Sequence, residues 1–179
     1  MKTKRLLPYL AIPIIIIAYV LLRRDTLDII TALRGSALIA FGFAAALTDW
    51  KARTVSNKLV LAMFALWLTL LIVAMLSDFQ TALGELIPSL ISGGVAGLMF
   101  LAIYLVSRKG IGGGDVKLVT VVGLYMTLAQ LMPMLLVSSL LAAIVSAVLL
   151  LTKRATMKTA IPLVPFLYLG ILVILFLGV

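Results

Sequence analysis

The stretch Gly110-Ile111-Gly112-Gly113-Gly114-Asp115-Val116-Lys117-Leu118 decides how the rest of the chain is interpreted. It lies between an apolar run that ends near Val106 and another that begins near Leu118, so its four glycines and its carboxylate lie at a predicted membrane boundary. An ionisable side chain within a bilayer costs free energy, about 2.5–3.5 kcal/mol at the centre of a helix on insertion scales, and it indicates a functional site by default. Glycines allow positive φ angles and close approach of another chain. We therefore expect a functional loop at a membrane surface.

The composition predicts an integral membrane protein. Of the 179 residues, 64% are hydrophobic and 12% are charged, which leaves too little polar surface for a water-soluble domain. The chain contains no cysteine and no histidine, which excludes disulfides, thiolate nucleophiles, Ser-His-Asp triads and the usual zinc ligand sets. Carboxylates, lysines, hydroxyls and amides remain for chemistry, and we expect neither a metal nor a cofactor.

Seven apolar segments define the predicted architecture. They cover about residues 6–22, 35–48, 59–76, 86–106, 118–132, 134–151 and 161–179. Most approach the roughly 20 residues that a spanning helix needs. The boundary between the fifth and sixth segments rests on Gln130 and Pro133 alone. The prediction is an all-α polytopic membrane protein with a six-helix protease core, residues 35–179, preceded by a hydrophobic segment and a charged connection, residues 1–34.

Small residues recur on the fourth segment. Ser89, Gly93 and Gly97 are spaced four residues apart, which places them on one helix face. Such a face lets a neighbouring helix approach closely. We expect it to pack within one chain rather than to form a dimer.

The net charge of +9 is interpreted as a topological signal rather than a nucleic-acid signal, because the basic residues lie in short connections between apolar segments. The connections after segments two, four and six contain Lys51, Arg53, Lys58, Arg108, Lys109, Lys117, Lys153, Arg154 and Lys158, whereas the connections between them contain no Lys or Arg. This alternation predicts that Asp49 and Asp115 both lie at the cytoplasmic side. Basic residues flank the first segment equally on both sides, so that segment either spans the membrane or lies along its surface.

Asp49 and Asp115 differ from the other acidic residues because both adjoin small-residue backbone at the same predicted membrane depth. Two neighbouring carboxylates do not both ionise readily, so they share a proton and one pKa rises. Such a pair can activate a water molecule while the protonated partner donates to a carbonyl oxygen. The residues alone also allow each aspartate to end a helix or to pair with Lys51, Arg53 or Lys117.

Three motifs resemble those of one enzyme family. Residues 112–118 resemble the G-x-G-D-x-K-L motif of type IV prepilin peptidases and archaeal preflagellin peptidases, which are GxGD membrane aspartic proteases. Asp49, with Arg53 and Val55-Ser56-Asn57, resembles the first catalytic aspartate of that family, which is followed by a short basic stretch and an Ile-Pro-Asn triplet. Ile161-Pro162-Leu163-Val164-Pro165-Phe166 resembles the entrance to its last helix. Three motifs in this order are more specific than GxGD alone, and the resemblance covers about residues 38–179.

The resemblance implies roles for particular residues. Asp49 and Asp115 would be the catalytic pair, Gly112 and Gly114 would shape the loop that presents Asp115, and Lys117 would be its polar neighbour. Further candidates for shaping the site or binding substrate are Asn57, Pro162 and Pro165.

The resemblance also implies a substrate. It would be a prepilin-like or preflagellin-like protein that loses a short basic leader at the cytoplasmic face of a prokaryotic membrane. The lipid bilayer would be a further partner, and no nucleic acid is expected to bind. Longer family members carry a cysteine-containing cytoplasmic insertion and also methylate the product. This chain has no cysteine and no room for that insertion between Asp49 and Asp115, so we expect the peptidase activity alone. Ser56 replaces the proline of the family triplet and removes a preset φ.

Two other functions are weighed against this one. Presenilin-like and signal-peptide-peptidase-like proteases share GxGD but carry Tyr-Asp on the first catalytic helix and Pro-Ala-Leu on the last, where this chain has Thr48-Asp49 and Pro162-Leu163. A non-enzymatic small ion-coupled transporter needs carboxylates at mid-bilayer depth and inverted repeats, and the sequence indicates neither.

Overall fold

The computed structural model describes residues 11–25, 28–107, 111–153 and 161–178. Within these ranges the protein is all-helical, which confirms the predicted fold class. Its helices there are α1 (Ala11–Arg23), α2 (Ile29–Ala52), α3 (Asn57–Ser77), α4 (Phe79–Val106), α5 (Gly113–Leu124), α6 (Leu128–Leu151) and α7 (Val164–Leu177). Of the helices in the described residues, α2, α3, α4 and α6 are long and apolar enough to cross a membrane. The other three contain 13, 12 and 14 residues.

Helix α2 begins earlier than its apolar run. The Asp28 carboxylate accepts the backbone N–H groups of Ile30 and Thr31 at 3.1 and 3.3 Å, which caps the helix. The helix then continues without a break to Ala52 and ends at Arg53, whose φ of 52° is left-handed. The charged connection expected to extend to residue 34 therefore includes the first turns of α2, and no helix boundary separates residues 34 and 35.

The predicted boundary between the fifth and sixth segments is wrong. The break lies between Leu124 and Leu128, and Pro133 lies inside α6. Gln130 marks the start of α6, because its side-chain oxygen accepts the backbone N–H of Thr127 at 3.2 Å. A Gln at this third position is a helix-start signal, and membrane helices tolerate an internal proline.

Helices α4 and α5 pack closely through small residues. A Cβ atom on Gly97 would lie 2.7 Å from the Thr120 hydroxyl oxygen, and one on Gly123 would lie 2.8 Å from the Cα of Gly93. Ser89 donates its hydroxyl to the backbone carbonyl of Leu124. The small-residue face of the fourth segment thus packs within the chain, as expected.

The chain direction places six helix termini at one end of the bundle, here called the aspartate end. They are the C-termini of α2, α4 and α6 and the N-termini of α3, α5 and α7. Helix α7 packs against α2, where the Tyr168 ring contacts Gly42 and lies edge-on to Phe43 with ring centroids 5.8 Å apart. Helix α1 lies along both, since Tyr19 contacts Gly35 and Phe176. The first segment is therefore packed into the bundle.

The opposite end contains a cavity of about 280 Å³ that is lined by both apolar and charged side chains. Arg34 of α2 forms an ion pair with Glu85 of α4 at 2.6 Å, and both residues line this cavity together with Gln130 of α6. Arg34 lies fifteen residues before Asp49, which corresponds to about 22 Å along the helix. The cavity and the aspartate end are therefore separated by most of the length of α2.

Candidate active site

Asp49 lies near the C-terminal end of α2 and is 5% exposed. Its Oδ2 atom accepts the backbone N–H of Val164 at 3.0 Å. Val164 is the first residue of α7, and the first N–H groups of a helix have no partner within that helix and carry its positive dipole end. The N-terminus of α7 therefore orients the Asp49 carboxylate.

Two prolines shape this helix start. Pro162 precedes α7 and Pro165 takes its second position, where a proline is compatible with the first turn because those N–H groups need no partner inside the helix. Neither proline has an N–H, so only Leu163 and Val164 can donate a backbone hydrogen bond in this segment. Sequence reasoning named both prolines as candidates but missed Val164, although the proline spacing already left just two donors.

Asp115 is the third residue of α5 and caps that helix. Its Oδ2 atom accepts the Gly112 N–H at 3.1 Å, while its own backbone N–H donates to the Gly112 carbonyl at 3.0 Å. These reciprocal bonds fix the carboxylate against the loop that begins the helix.

The glycines before Asp115 allow close packing rather than an unusual backbone conformation. Gly112 has an extended backbone with φ −79° and ψ 146°. A Cβ atom on Gly114 would lie 3.2 Å from the Cβ of Val55 and 3.3 Å from its carbonyl oxygen. A Cβ atom on Gly113 would meet nothing within 4 Å. The expectation of positive φ thus does not apply at Gly112, and Gly114 is the position where the connection between α2 and α3 presses on α5.

Asp115 has a raised pKa, and the charge of Asp49 is one of its causes. Asp115 is partly buried in the first turn of α5, outside the four helices long enough to span. Burial raises the pKa of Asp115, the Gly112 N–H lowers it, and the negative charge of Asp49 raises it further, with a net upward shift. An upward shift from burial and a like charge is what a proton-sharing carboxylate pair requires.

Lys117 does not pair with either aspartate. Its Nζ atom donates to Oδ1 of Asn57 at 3.2 Å, which joins α5 to the first residue of α3. Among the described residues the ion pairs are Arg24–Asp25 and Arg34–Glu85. In this part of the chain Asp49 and Asp115 thus form no ion pair with Lys51, Arg53 or Lys117, which excludes one of the two alternatives that the sequence left open. The other alternative, an aspartate at a helix end, describes Asp115, which caps α5.

Comparisons with known proteins agree with these motifs. A profile of the type IV leader peptidase family matches residues 36–147, which contain both aspartates. The chain is 33% identical over 79 residues to a prepilin leader peptidase/N-methyltransferase of Bacillus subtilis (strain 168), covering 44% of this chain and 32% of that protein. It is 34% identical over 74 residues to a protein of the same description from Xanthomonas campestris pv. campestris, covering 41% and 26%. The matched region thus spans about a third or less of each relative. No solved structure matches significantly.

The family profile covers more than half of the 179 residues and includes both the Asp49 and the Gly112–Leu118 motifs. The chain therefore belongs to the type IV leader peptidase family.

Proposed function

We propose that this protein is an aspartic endopeptidase that removes the short basic leader from prepilin-like or preflagellin-like substrates. The observation that carries the proposal is the location of Asp49 and Asp115 on different helices at one end of the bundle. Burial, and to a smaller extent the charge of Asp49, raise the pKa of Asp115 there. A carboxylate pair of this kind provides a base and an acid in one site.

The surroundings of the two side chains suggest which one holds the proton. Burial and the charge of Asp49 favour protonated Asp115, whereas the Val164 N–H orients the Asp49 carboxylate. In the proposed reaction Asp49 takes a proton from a water molecule as the water oxygen attacks the scissile carbonyl carbon. Asp115 donates its proton to the carbonyl oxygen. When the tetrahedral intermediate collapses, one of its hydroxyl groups returns a proton to Asp115 as the carbonyl re-forms, the C–N bond breaks, and the proton on Asp49 passes to the leaving amine.

The distribution of basic residues supports a cytoplasmic position for this end of the bundle. Among the described residues, the aspartate end carries Lys51, Arg53, Lys58, Lys117 and Lys153, and the opposite end carries Arg23, Arg24 and Arg34. An excess of Lys and Arg in short connections marks the cytoplasmic side of a bacterial membrane protein. The proposed site of action is thus the inner face of a prokaryotic cytoplasmic membrane.

We further propose leader removal without methylation for this chain. The connection between α2 and α3 consists of residues 53–56, and α5 begins seven residues after α4 ends. The chain between the aspartates therefore holds helices and short connections rather than a separate module. Incubation with S-adenosylmethionine and a cleaved substrate tests this: an N-methylated product would contradict it.

The central test is cleavage of a prepilin-like peptide by the purified protein in detergent, with the product mass measured. Asp49→Asn and Asp115→Asn should each abolish leader removal. Asp78→Asn is the matched control, because Asp78 caps α4 at the opposite end and asparagine caps helices equally well. Loss of activity in the control, or wild-type cleavage by either site variant, would contradict the proposal.

A further inference from the structure

The cavity at the end of the bundle opposite the aspartates takes no part in the proposed reaction. Its volume of about 280 Å³ is several times the roughly 30 Å³ that one water molecule occupies in the liquid. Residues of every helix except α3 line it. The lining combines charged side chains, such as Arg34 and Glu85, with apolar ones, such as Leu38 and Ile174. The cavity therefore suits a ligand that is larger than water and has both a charged and an apolar part.

Arg34 has hydrogen-bond donors left for such a ligand. A guanidinium carries several N–H donors. Among the described residues, one protein group accepts from this guanidinium, the Glu85 carboxylate, which is 2.6 Å from Nη1. The buried Nε atom of Arg34 has no hydrogen-bond partner there, which is unfavourable for a polar group inside a protein. Guanidinium groups match phosphate oxygens in geometry and charge, so a phosphate group is a suitable ligand for this side chain.

Arg23 adds a second guanidinium to the lining of the cavity. It is the last residue of α1, and its guanidinium contacts Gly178, which follows α7. Among the described residues that line the cavity, two are basic and one, Glu85, is acidic. An excess of positive charge in a partly enclosed site favours an anion.

The depth of these charges in a bilayer indicates where the phosphate comes from. Helix α4 has 28 residues and is thus about 42 Å long, which matches a bilayer with both headgroup layers. Each headgroup layer takes roughly 5–7 Å of that thickness. Glu85 lies six residues after Phe79, the first residue of α4, or about 9 Å along the helix. Its neighbours Leu83 and Ile87 are exposed. A phospholipid at this level would place its phosphate near the cavity and its acyl chains beside apolar side chains.

We propose that this cavity binds the phosphate group of a phospholipid through Arg34 and Arg23. The inference is independent of the proposed catalysis, because Arg34 and Asp49 are separated by about 22 Å along α2. It assigns a lipid site to the end of the bundle that lies away from the aspartates.

Lipid binding to the purified, delipidated full chain in detergent tests the proposal. Native mass spectrometry counts the bound lipid molecules and gives the Kd. Dioleoylphosphatidylglycerol is the probe, and dioleoylglycerol, which has the same acyl chains and no phosphate, is its control. We expect the lipid with the phosphate to bind about tenfold more tightly or better. Equal binding of the two lipids would overturn the inference.

Arginine variants locate the bound phosphate. Arg34→Gln and Arg23→Gln should each raise the Kd for dioleoylphosphatidylglycerol about tenfold. Arg24→Gln is the matched control, because Arg24 adjoins Arg23, does not line the cavity and has a side chain that is 73% exposed. Size-exclusion chromatography identifies the variants that fold, and one folded cavity variant is sufficient for the comparison. An unchanged Kd in the cavity variants, or an equal rise in the control, would disprove the site.

Glu85→Gln separates phosphate binding from loss of the ion pair. This variant breaks the contact between Arg34 and Glu85 and keeps both arginines, so the Kd should equal the wild-type value or fall below it. A rise as large as that in Arg34→Gln would show that the ion pair, and not the arginine charge, is needed, which contradicts the proposal.

Inorganic phosphate distinguishes a lipid from a soluble phosphate as the ligand. At the same concentration as dioleoylphosphatidylglycerol it should leave the bound lipid in place, because it lacks the acyl chains that contact the apolar side chains. Displacement of the lipid at equal concentration would assign the cavity to free phosphate and refute the lipid site.

Discussion

The backbone N–H of Val164 donates to the Asp49 carboxylate over 3.0 Å and thereby joins the start of the last helix to the end of α2. The two residues are far apart in the sequence, and the bond is buried. A backbone donor on a helix end is held more firmly than a side-chain donor, because its position is set by the packing of the whole helix. The orientation of Asp49 thus depends on how α7 packs against α2.

Replacement of the Val164 amide by an ester tests this bond. Incorporation of the α-hydroxy analogue of valine removes the N–H and keeps the side chain. We expect kcat to fall about tenfold or more, because an unsatisfied buried acceptor costs roughly 1–3 kcal/mol. The measurement is the cleavage rate at saturating peptide.

The matched control places an ester at Leu163, the other backbone donor between the two prolines. This variant should keep a near wild-type kcat. Equal losses at both positions would show that Asp49 does not depend on the Val164 donor in particular.

Gly114→Ala should impair the enzyme, whereas Gly113→Ala should not. The new methyl group at position 114 would lie 3.2 Å from Val55 and push the connection between α2 and α3 away from α5. Overpacking of this kind costs about 1–3 kcal/mol. At position 113 the methyl group meets nothing within 4 Å, and replacing a helical glycine by alanine gains roughly 0.5–1 kcal/mol. Thermal unfolding in detergent and cleavage rates measure both effects, and equal behaviour of the two variants would contradict the assigned contact.

The packing of α4 on α5 predicts that Gly123→Ala destabilises the protein. Its new Cβ atom would lie 2.8 Å from the Cα of Gly93 and 2.9 Å from the Ser92 carbonyl oxygen, and backbone atoms cannot turn away as a side chain can. We expect a loss of about 1–3 kcal/mol and a lower unfolding temperature. Gly94→Ala is the control on α4, because a Cβ atom there meets nothing within 4 Å. An unchanged unfolding temperature for Gly123→Ala would disprove the close approach.

The raised pKa of Asp115 predicts a pH-dependent stability difference. A carboxyl group whose pKa is higher in the folded state stabilises the fold fully below its unfolded pKa, and this contribution is lost as pH rises through the folded pKa. Asp115→Asn cannot ionise and still offers an oxygen to the Gly112 N–H. We therefore expect this inactive variant to unfold at a higher temperature than wild type at neutral pH, with the difference shrinking in acid.

The charge of Asp49 accounts for only part of this shift. Asp49→Asn should lower the pKa of Asp115 and leave it above its ordinary value, because burial is the larger cause. Carboxyl carbon NMR of aspartate-labelled protein measures this titration. An Asp115 pKa that is identical in wild type and Asp49→Asn would show that the two charges do not interact.

Sequence alone was sufficient for the fold class and for much of the arrangement of the site. The all-α class followed from composition. Connections with and without Lys and Arg alternate along the chain because successive helices run in opposite directions, and this alternation predicted that Asp49 and Asp115 lie at the same end. Packing of Ser89, Gly93 and Gly97 against another helix followed from their spacing.

Other features depend on contacts between residues far apart in the chain and were therefore not predictable. The Val164 donor requires knowledge that α7 begins beside Asp49, and the contact of Gly114 with Val55 requires the position of the connection before α3. The α5–α6 boundary failed for a different reason. The positions of Gln130 and Pro133 predict an interruption between two helices, whereas Gln130 lies at the start of α6 and Pro133 lies inside it.

The brevity of α5 has a consequence for the surrounding lipid. Its 12 residues extend about 18 Å, well short of a hydrocarbon layer of roughly 30 Å. The cavity that contains Arg34 and Glu85 lies beyond the far end of this helix and is lined by Leu124, the last residue of the helix. We therefore expect the low-dielectric layer to be thinner across this part of the protein than across the surrounding bilayer, so that the acyl-chain length of the lipid should affect the position of the aspartates relative to the headgroups.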